Sequence, residues 1–513
     1  MWRTFQYHNH TFYISAKVWS DFAAHLPLIR SFSWGQNWPP EYPLFPGEPI
    51  RYHFLFYFLV GNLEKLGLPP DWALNLPSAL GFGGSMIIIY LLGKLLFKSR
   101  LTGFLAVILF LFNSSLSSLE FFKSHSIKEI FTNTAFPCFG PWDGQIISAF
   151  WTLNIYTNQR HLAPAFFLVL LIIYIILKNK KLALSKILFL AILLGFLPFF
   201  HKTALIISGL VLFGLFLFFH KKRRNLFLLA SFSFLLIAPQ LYYQLTAAGG
   251  SISFHPGYLI EPPVTIGKFF TYWWTNLGLS LFFIPLGFFF APKTAKKLFL
   301  AVLPVFLVGY LFQFSPELAA NHKFFNFFIL IGNLFTASIL ARLFSKSFPI
   351  SLIPLLSLIP LTLSGLIDFF AVKNDIFYQI PDAPQNPDIL WIKNNTPPDA
   401  VFLNSSFLYH PASLAGRKIF AGWPYFTWGV GYNSFARDKL RDSLLNPSDL
   451  EKFCQTAINN NLSYLLINKN EKTAEINLPL NKIFFEQNLA KIYENQTSGN
   501  LVFSISKLCA YEQ

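Results

Sequence analysis

Long apolar runs separated by short polar segments dominate the chain between residues 73 and 371. Each run is about 17–23 residues long, the length that a helix needs to cross about 30 Å of hydrocarbon. The expected fold class is therefore a polytopic α-helical membrane protein. The pattern predicts ten transmembrane helices, at residues 73–97, 101–118, 162–178, 184–200, 203–219, 225–243, 269–291, 298–314, 324–343 and 349–371.

The two flanking regions have a different pattern. Residues 1–72 are polar and aromatic, and within them residues 20–34 and 52–66 predict two short helices that lie at the membrane interface as parts of an extracytoplasmic loop. A proline-rich linker follows the predicted bundle at 372–387. Residues 388–513 alternate helix-like and strand-like pieces, which predicts a small soluble α/β domain.

Composition supports the membrane class, since 54% of the residues are hydrophobic and only 12% are charged. A soluble chain would carry roughly a quarter charged residues. The net charge of +16 is spread over separate short loops, which disfavours a nucleic-acid partner. Every second predicted helix ends in a basic cluster, so those loops are expected in the cytoplasm and both flanking regions outside it, in a multi-pass protein of the plasma membrane. The clusters are 94–100, 178–186, 221–224, 293–297 and 342–346.

The same rule places the N-terminus outside the cytoplasm, yet neither a signal peptide nor an apolar span precedes Asp21. We expect a further transmembrane helix upstream of the sequence given. The alternative is that residues 1–72 cross the membrane together with the first span, as a short N-terminal tail.

The three cysteines, Cys138, Cys454 and Cys509, are odd in number and have no metal-ligand spacing. Cys454 and Cys509 fall in the same predicted domain and can pair, although the sequence does not require it. No P-loop, GxGxxG, HExxH, CxxC or DxD motif occurs, so the sequence predicts no cofactor or metal and disfavours a nucleotide-driven pump.

Acidic and basic side chains concentrate near the N-terminus. Asp21 and His25 are four residues apart and therefore share one face of the predicted helix. Two carboxylates and several cations at one membrane surface can perform acid–base chemistry beside a phosphate group, although solvated interface residues are the plainer interpretation. The candidates are Asp21, His25, Arg30, Glu41, Arg51 and His53.

Three more basic pairs stand at the predicted outer ends of helices. Arginine and lysine there can bind phosphate oxygens or can simply extend toward lipid headgroups. Their convergence on one side of the membrane, together with a carboxylate, predicts a cavity for a lipid phosphate. The pairs are Arg160 and His161, His201 and Lys202, and His322 and Lys323.

The segment Ser20-Asp21-Phe22-Ala23-Ala24-His25-Leu26 resembles the first outer loop of the GT-C superfamily of polytopic glycosyltransferases. Uncharacterised prokaryotic members are similar around Pro40-Glu41-Tyr42-Pro43 and Gln159-Arg160-His161-Leu162, and protein O-mannosyltransferases are similar more distantly. The resemblance implies an enzyme of hexosyltransferase type that uses a polyprenyl-phosphate sugar, with Asp21 as general base. Members of the family vary in their use of divalent metal.

Two other functions remain open at this point. A polysaccharide polymerase or ligase also joins lipid-linked glycans outside the membrane, and it would depend more on the basic residues than on Asp21. A lipid flippase or polymer exporter would need a continuous polar path through the bundle, and polar residues within the apolar runs are scarce. The sequence specifies neither the sugar nor the acceptor.

Overall fold

The computed structural model describes residues 1–151, 153–246, 252–468 and 480–509. The chain begins with a small layer of strands and helices that precedes the long apolar helices. An antiparallel hairpin comes first, and the helix that carries Asp21 follows it. The elements are β1 (Phe5–His8), β2 (Thr11–Ser15), α1 (Trp19–Ser33), β3 (Glu41–Tyr42), β4 (Phe45–Pro49) and α2 (Leu55–Lys65).

The middle of the chain is almost entirely helical. The long helices are α3 (Pro70–Phe97), α4 (Arg100–Leu111), α7 (Leu162–Lys178), α8 (Leu184–Gly195), α10 (Lys202–Phe218), α11 (Arg223–Thr246), α12 (Ile266–Leu277), α13 (Ser280–Phe290), α14 (Lys293–Leu311), α15 (His322–Phe344) and α16 (Leu352–Lys373). The shorter elements are α5 (Ser117–Phe121), α6 (Asn154–Asn158), α9 (Leu197–Phe200), β5 (Ser253–Phe254) and β6 (Phe312–Gln313).

An apolar helix lies at each of the ten predicted spans, and the mostly helical membrane architecture is confirmed. Among the described residues, five helices are long and apolar enough to cross a membrane: α3, α11, α14, α15 and α16. The pair α12 and α13 supplies a sixth candidate, while α4, α7, α10 and the α8–α9 segment are shorter. The number of crossings therefore stays a prediction.

Two helices depart from the predicted boundaries for visible reasons. The run predicted as one helix at 269–291 bends by 91° between α12 and α13. The bend occurs at Gly278, whose φ of +50° leaves the helical region. The run predicted at 101–118 ends its helix at Leu111, because the polar segment Asn113-Ser114-Ser115 turns the chain away.

The C-terminal region forms an α/β unit around a mixed five-stranded sheet with the order β11-β12-β10-β8-β9. Strands β8 and β12 are buried along their whole length, which matches their continuous apolar runs. The elements are β7 (Phe377–Pro381), α17 (Pro387–Asn395), β8 (Val401–Asn404), α18 (Pro411–Leu414), β9 (Lys418–Ile419), α19 (Pro424–Trp428), α20 (Ser434–Leu445), α21 (Leu450–Asn459), β10 (Leu462–Asn468), α22 (Lys482–Asn488), β11 (Ala490–Glu494), β12 (Asn500–Ser504) and α23 (Ser506–Cys509).

Cys454 in α21 and Cys509 in α23 form a disulfide within this unit, which resolves the pairing that the sequence left open. Cys138 is a buried free thiol.

The N-terminal layer and the C-terminal unit are joined into one body, here called the head (residues 1–65, 377–468 and 480–509). Strand β7 pairs with β2 to complete a three-stranded sheet, β1-β2-β7. Phe22 and Ile29 of α1 share one hydrophobic core with Ile389 and Phe402 of the C-terminal unit. Helix α1 is therefore buried within the head instead of lying loosely at its surface.

Candidate active site

An open cavity of about 720 Å³ lies where the head meets the N-terminal ends of α10 and α15. Both parts of the molecule contribute to its wall. The predicted site residues that line it are Asp21, His25, Arg51, His53, Lys202, His322 and Lys323. Seven positions from four separate sequence segments therefore meet in one space.

Asp21 is placed in this cavity by the first turn of α1. The positive end of the helix dipole favours a carboxylate at that position. Asp21 is partly buried and, among the described residues, accepts no hydrogen bond and forms no ion pair. Burial raises the pKa of Asp21 to about 6, the nearby Glu317 carboxylate adds to the rise, and Lys323 opposes it. A carboxylate with a pKa near neutrality is well suited to accept a proton.

His25 lies one helical turn after Asp21 on the same wall, as its spacing predicted. Its Nδ1 atom is buried and has no hydrogen-bond partner among the described residues. Burial, reinforced by Arg160, lowers the pKa of His25 to about 3, so the ring is neutral at physiological pH. The ring can donate to or accept from a bound ligand without adding charge.

Lys323 and Lys202 bring two ammonium groups to the cavity wall. Lys323 stands in the first turn of α15, and its Nζ atom lies 3.5 Å from the carbonyl oxygen of Ala320. Lys202 stands at the start of α10 and donates to the carbonyl oxygen of Arg51. Neither ammonium group forms an ion pair with a carboxylate in the described part of the chain.

Arg51 is held beside Lys202 by the head. Its guanidinium pairs with Glu48 at 2.6 Å and lies 4.6 Å from the centre of the Tyr432 ring. Its Nε atom is buried and has no partner in the described ranges. Arg51 therefore retains one donor that can serve a ligand.

Glu317 is a cavity residue that the sequence reasoning missed. It accepts a hydrogen bond from the hydroxyl of Tyr425, which connects the loop before α15 to the head. The available signal was its position on the same loop as His322 and Lys323, five and six residues ahead of them. A carboxylate so close to Asp21 contributes to the raised pKa described above.

His322 faces the cavity with its ring stacked 4.2 Å from the centre of Phe150. Its Nδ1 atom lies 2.8 Å from the side-chain oxygen of Asn326, one turn further along α15. Aromatic rings continue along this side of the wall at Phe139 and Trp142. Such rings offer flat apolar surface on which a sugar can stack.

The predicted pair Arg160 and His161 does not line the cavity, whereas the two residues before it do. Helix α6 ends at Asn158, and the chain then turns so that Asn158 and Gln159 face the cavity. Arg160 points instead toward the N-terminus, where its Nη2 atom donates to the Thr4 hydroxyl at 2.7 Å. Sequence position alone did not reveal this change of direction.

His161 and His201 lie directly behind the wall and contact His53. The Nε2 atoms of His53 and His161 are 2.7 Å apart, and the hydroxyl of Tyr57 lies 2.9 Å from Nδ1 of His161. The rings of His53 and His201 stack with their centres 4.8 Å apart. Burial, followed by the neighbouring His201, lowers the pKa of His53 well below its ordinary value.

Arg30 and Glu41 are the two candidates that the structure places in other contacts. Arg30 lies nine residues beyond Asp21 on α1, which is roughly half a turn away around the helix. It forms buried ion pairs with Asp382 at 2.6 Å and Glu64 at 3.0 Å. Glu41 pairs with Lys418 at 2.7 Å. Both residues fasten parts of the head together.

Comparisons with known proteins identify the fold. No protein-family model and no curated protein sequence matches the chain. Among solved structures, the apo oligosaccharyltransferase of Archaeoglobus fulgidus superposes with a TM-score of 0.51 at 12% identity, covering 88% of this chain and 66% of that one. The arabinofuranosyltransferase AftD from Mycobacteria gives a TM-score of 0.54 at 12% identity, covering 96% and 40%.

ArnT from Cupriavidus metallidurans covers 94% of this chain and 93% of its own at 9% identity, with a TM-score of 0.47. The chain spans just under two thirds of the oligosaccharyltransferase and two fifths of AftD. The oligosaccharyltransferase and AftD are GT-C glycosyltransferases, so the resemblance in fold predicted from the sequence is confirmed. The chain is an integral membrane protein with the fold of that superfamily.

Proposed function

We propose that this protein is a membrane glycosyltransferase of hexosyltransferase type that moves a sugar from a polyprenyl-phosphate carrier to an extracytoplasmic acceptor. The observation that carries the proposal is the meeting of Asp21 with Lys202 and Lys323 in one cavity at the outer ends of the helices. The names of two of its structural neighbours, an oligosaccharyltransferase and an arabinofuranosyltransferase, support sugar transfer as the reaction class.

Asp21 is the proposed general base. With a pKa of about 6, it is mostly ionised at neutral pH and can still take up a proton in the transition state. The acceptor hydroxyl or amine transfers its proton to Asp21 as its oxygen or nitrogen bonds to the anomeric carbon. The bond from that carbon to the phosphate oxygen breaks with its electron pair, and polyprenyl phosphate leaves.

Lys202 and Lys323 are the proposed phosphate ligands, and Arg51 and His322 stand beside them. Negative charge builds up on the leaving phosphate, and cations that are already fixed in place stabilise it without reorganising. The absence of carboxylate partners among the described residues leaves both ammonium groups available. The cavity volume of about 720 Å³ is within the range of roughly 300–1,000 Å³ that small-molecule sites occupy.

The side of the membrane follows from the basic loops. The clusters at 178–186 and 221–224 stand at the opposite ends of α7 and α10 from His161 and Lys202. By the positive-inside rule, those clusters are cytoplasmic, and the cavity and head are extracytoplasmic. A disulfide between Cys454 and Cys509 is consistent with an oxidising compartment.

Replacing Asp21 tests the proposal. In membranes that contain the protein and a labelled polyprenyl-phosphate hexose, we expect Asp21→Asn to reduce release of polyprenyl phosphate by about 100- to 10,000-fold, the usual contribution of a general base. Asp71→Asn is the matched control, because Asp71 is a buried acid that does not line the cavity. Equal release by the wild type and Asp21→Asn would remove Asp21 from its proposed role.

A further inference from the structure

We propose that His53, His161 and His201 form a zinc-binding site directly behind the cavity wall. All three residues are buried, and each offers one ring nitrogen, with the three nitrogens within 4.8 Å of one another. Zinc binds imidazole nitrogen at about 2.0–2.1 Å, so two nitrogens of a tetrahedral site lie roughly 3.4 Å apart. The nitrogens are close enough for one ion, but the stacked rings of His53 and His201, with planes 20° apart, must turn so that their lone pairs point at it.

His201 supplies an independent observation. Its Nε2 atom is buried and has no hydrogen-bond partner among the described residues. Buried polar atoms in proteins are rarely left without a partner. Its Nδ1 atom accepts a hydrogen bond from the backbone N–H of Ala204 at 3.2 Å and thereby caps α10. When Nε2 binds the metal, the ring proton moves to Nδ1, so a metal–nitrogen bond replaces one long capping hydrogen bond.

The surroundings hold the other rings in position. Nδ1 of His161 is hydrogen-bonded to the hydroxyl of Tyr57, 2.9 Å away. A partner of this kind on the second nitrogen fixes the orientation of a metal-binding histidine. Of the three, His53 also lines the cavity, so the proposed site adjoins the cavity wall.

The three imidazole nitrogens determine which metal fits the site. Imidazole nitrogen suits zinc, whereas magnesium and calcium require oxygen ligands. Lys202 and Lys323 lie close enough to His53 to disfavour its positive form, and they equally oppose a weakly held cation. Zinc bound here would add positive charge beside the proposed phosphate ligands. That role depends on the proposed function, whereas zinc binding itself does not.

The test measures zinc in the purified full-length protein after loading with Zn²⁺ and removal of the excess. We expect stoichiometric zinc in the wild type and in His410→Asn, and little in His201→Asn. Asparagine retains a capping oxygen but removes the imidazole. His410 is the matched control because it also caps a helix through Nδ1 and has a buried, unpartnered Nε2, but it lies outside the cluster.

Two further measurements keep the test decisive if His201→Asn fails to fold. Co²⁺ bound to the wild type should give the visible absorption of a tetrahedral site, and Tyr57→Phe should weaken zinc binding by about tenfold. Zinc content in the wild type no greater than in His201→Asn, or absence of the tetrahedral Co²⁺ spectrum, would overturn the proposal. Zinc binding without sugar transfer would contradict only the proposed function, and sugar transfer without zinc would contradict only this site.

Discussion

Two charged clusters on opposite faces of helix α1 differ in how completely their charges are paired. Arg30 faces the interior of the head, where Asp382 and Glu64 neutralise it and the Trp34 ring lies 3.4 Å away. Asp21 faces the cavity and has no ion-pair partner among the described residues. Charges that are fully paired inside a protein hold its parts together, whereas charges kept unpaired in a cavity are available to a ligand.

The unpaired carboxylate of Asp21 also affects the stability of the folded state. Burial raises the pKa of Asp21 to about 6, so the folded state disfavours its ionised form. A carboxyl whose folded pKa exceeds its unfolded pKa reduces stability once the pH rises above the unfolded value. Asp21 thus opposes folding at neutral pH, and Asp21→Asn should reduce transfer by about 100- to 10,000-fold without lowering the melting temperature. Such a conflict between activity and stability is typical of functional residues.

Arg30→Met should have the largest effect on stability. The substitution leaves Asp382 and Glu64 as buried carboxylates without their cation, which typically costs about 3–5 kcal/mol. Thermal unfolding in detergent should show a large fall in melting temperature, and Asp382→Asn combined with Arg30→Met should restore part of it. An Arg30→Met protein as stable as the wild type would show that this cluster does not hold the head together.

Lys323→Met should instead reduce activity by about 100-fold, as expected for loss of one group that stabilises charge in the transition state. Lys323 also holds down the pKa of Asp21, so its removal leaves less of the base ionised at neutral pH. Lys418→Met is the matched comparison, since Lys418 is paired with Glu41 in the head. Initial rates of transfer measure both variants, and equal losses would contradict the distinction between paired and unpaired cations.

The sequence predicted the helices of the fold well because hydrophobic periodicity marks them directly. Helix α21 and strand β10 follow the alternation of helix-like and strand-like pieces predicted for residues 388–513. The bend at Gly278 was not predictable, since apolar side chains continue on both sides of it. The packing of α1 against the C-terminal unit could not be predicted either, because contacts between residues hundreds of positions apart leave no local pattern in the sequence.

The sequence identified many of the residues in the candidate site but not all of their contacts. The shared face of Asp21 and His25 follows from helical spacing, and both residues line the cavity. Helical rotation also places Arg30 on the other face of α1. Grouping the charged residues by closeness in sequence did not take this rotation into account. Glu317 and the direction of Arg160 depend on loop geometry, which short motifs do not encode.

The most direct test of the account is the pH dependence of kcat/KM for sugar transfer across a range that brackets pH 6. A general base acts only when deprotonated, so kcat/KM should rise with pH through about 6 and level off above it. The residual rate of Asp21→Asn should lack this rise. A wild-type profile without a rise near pH 6, or the same rise in Asp21→Asn, would contradict the assignment of Asp21 as the base.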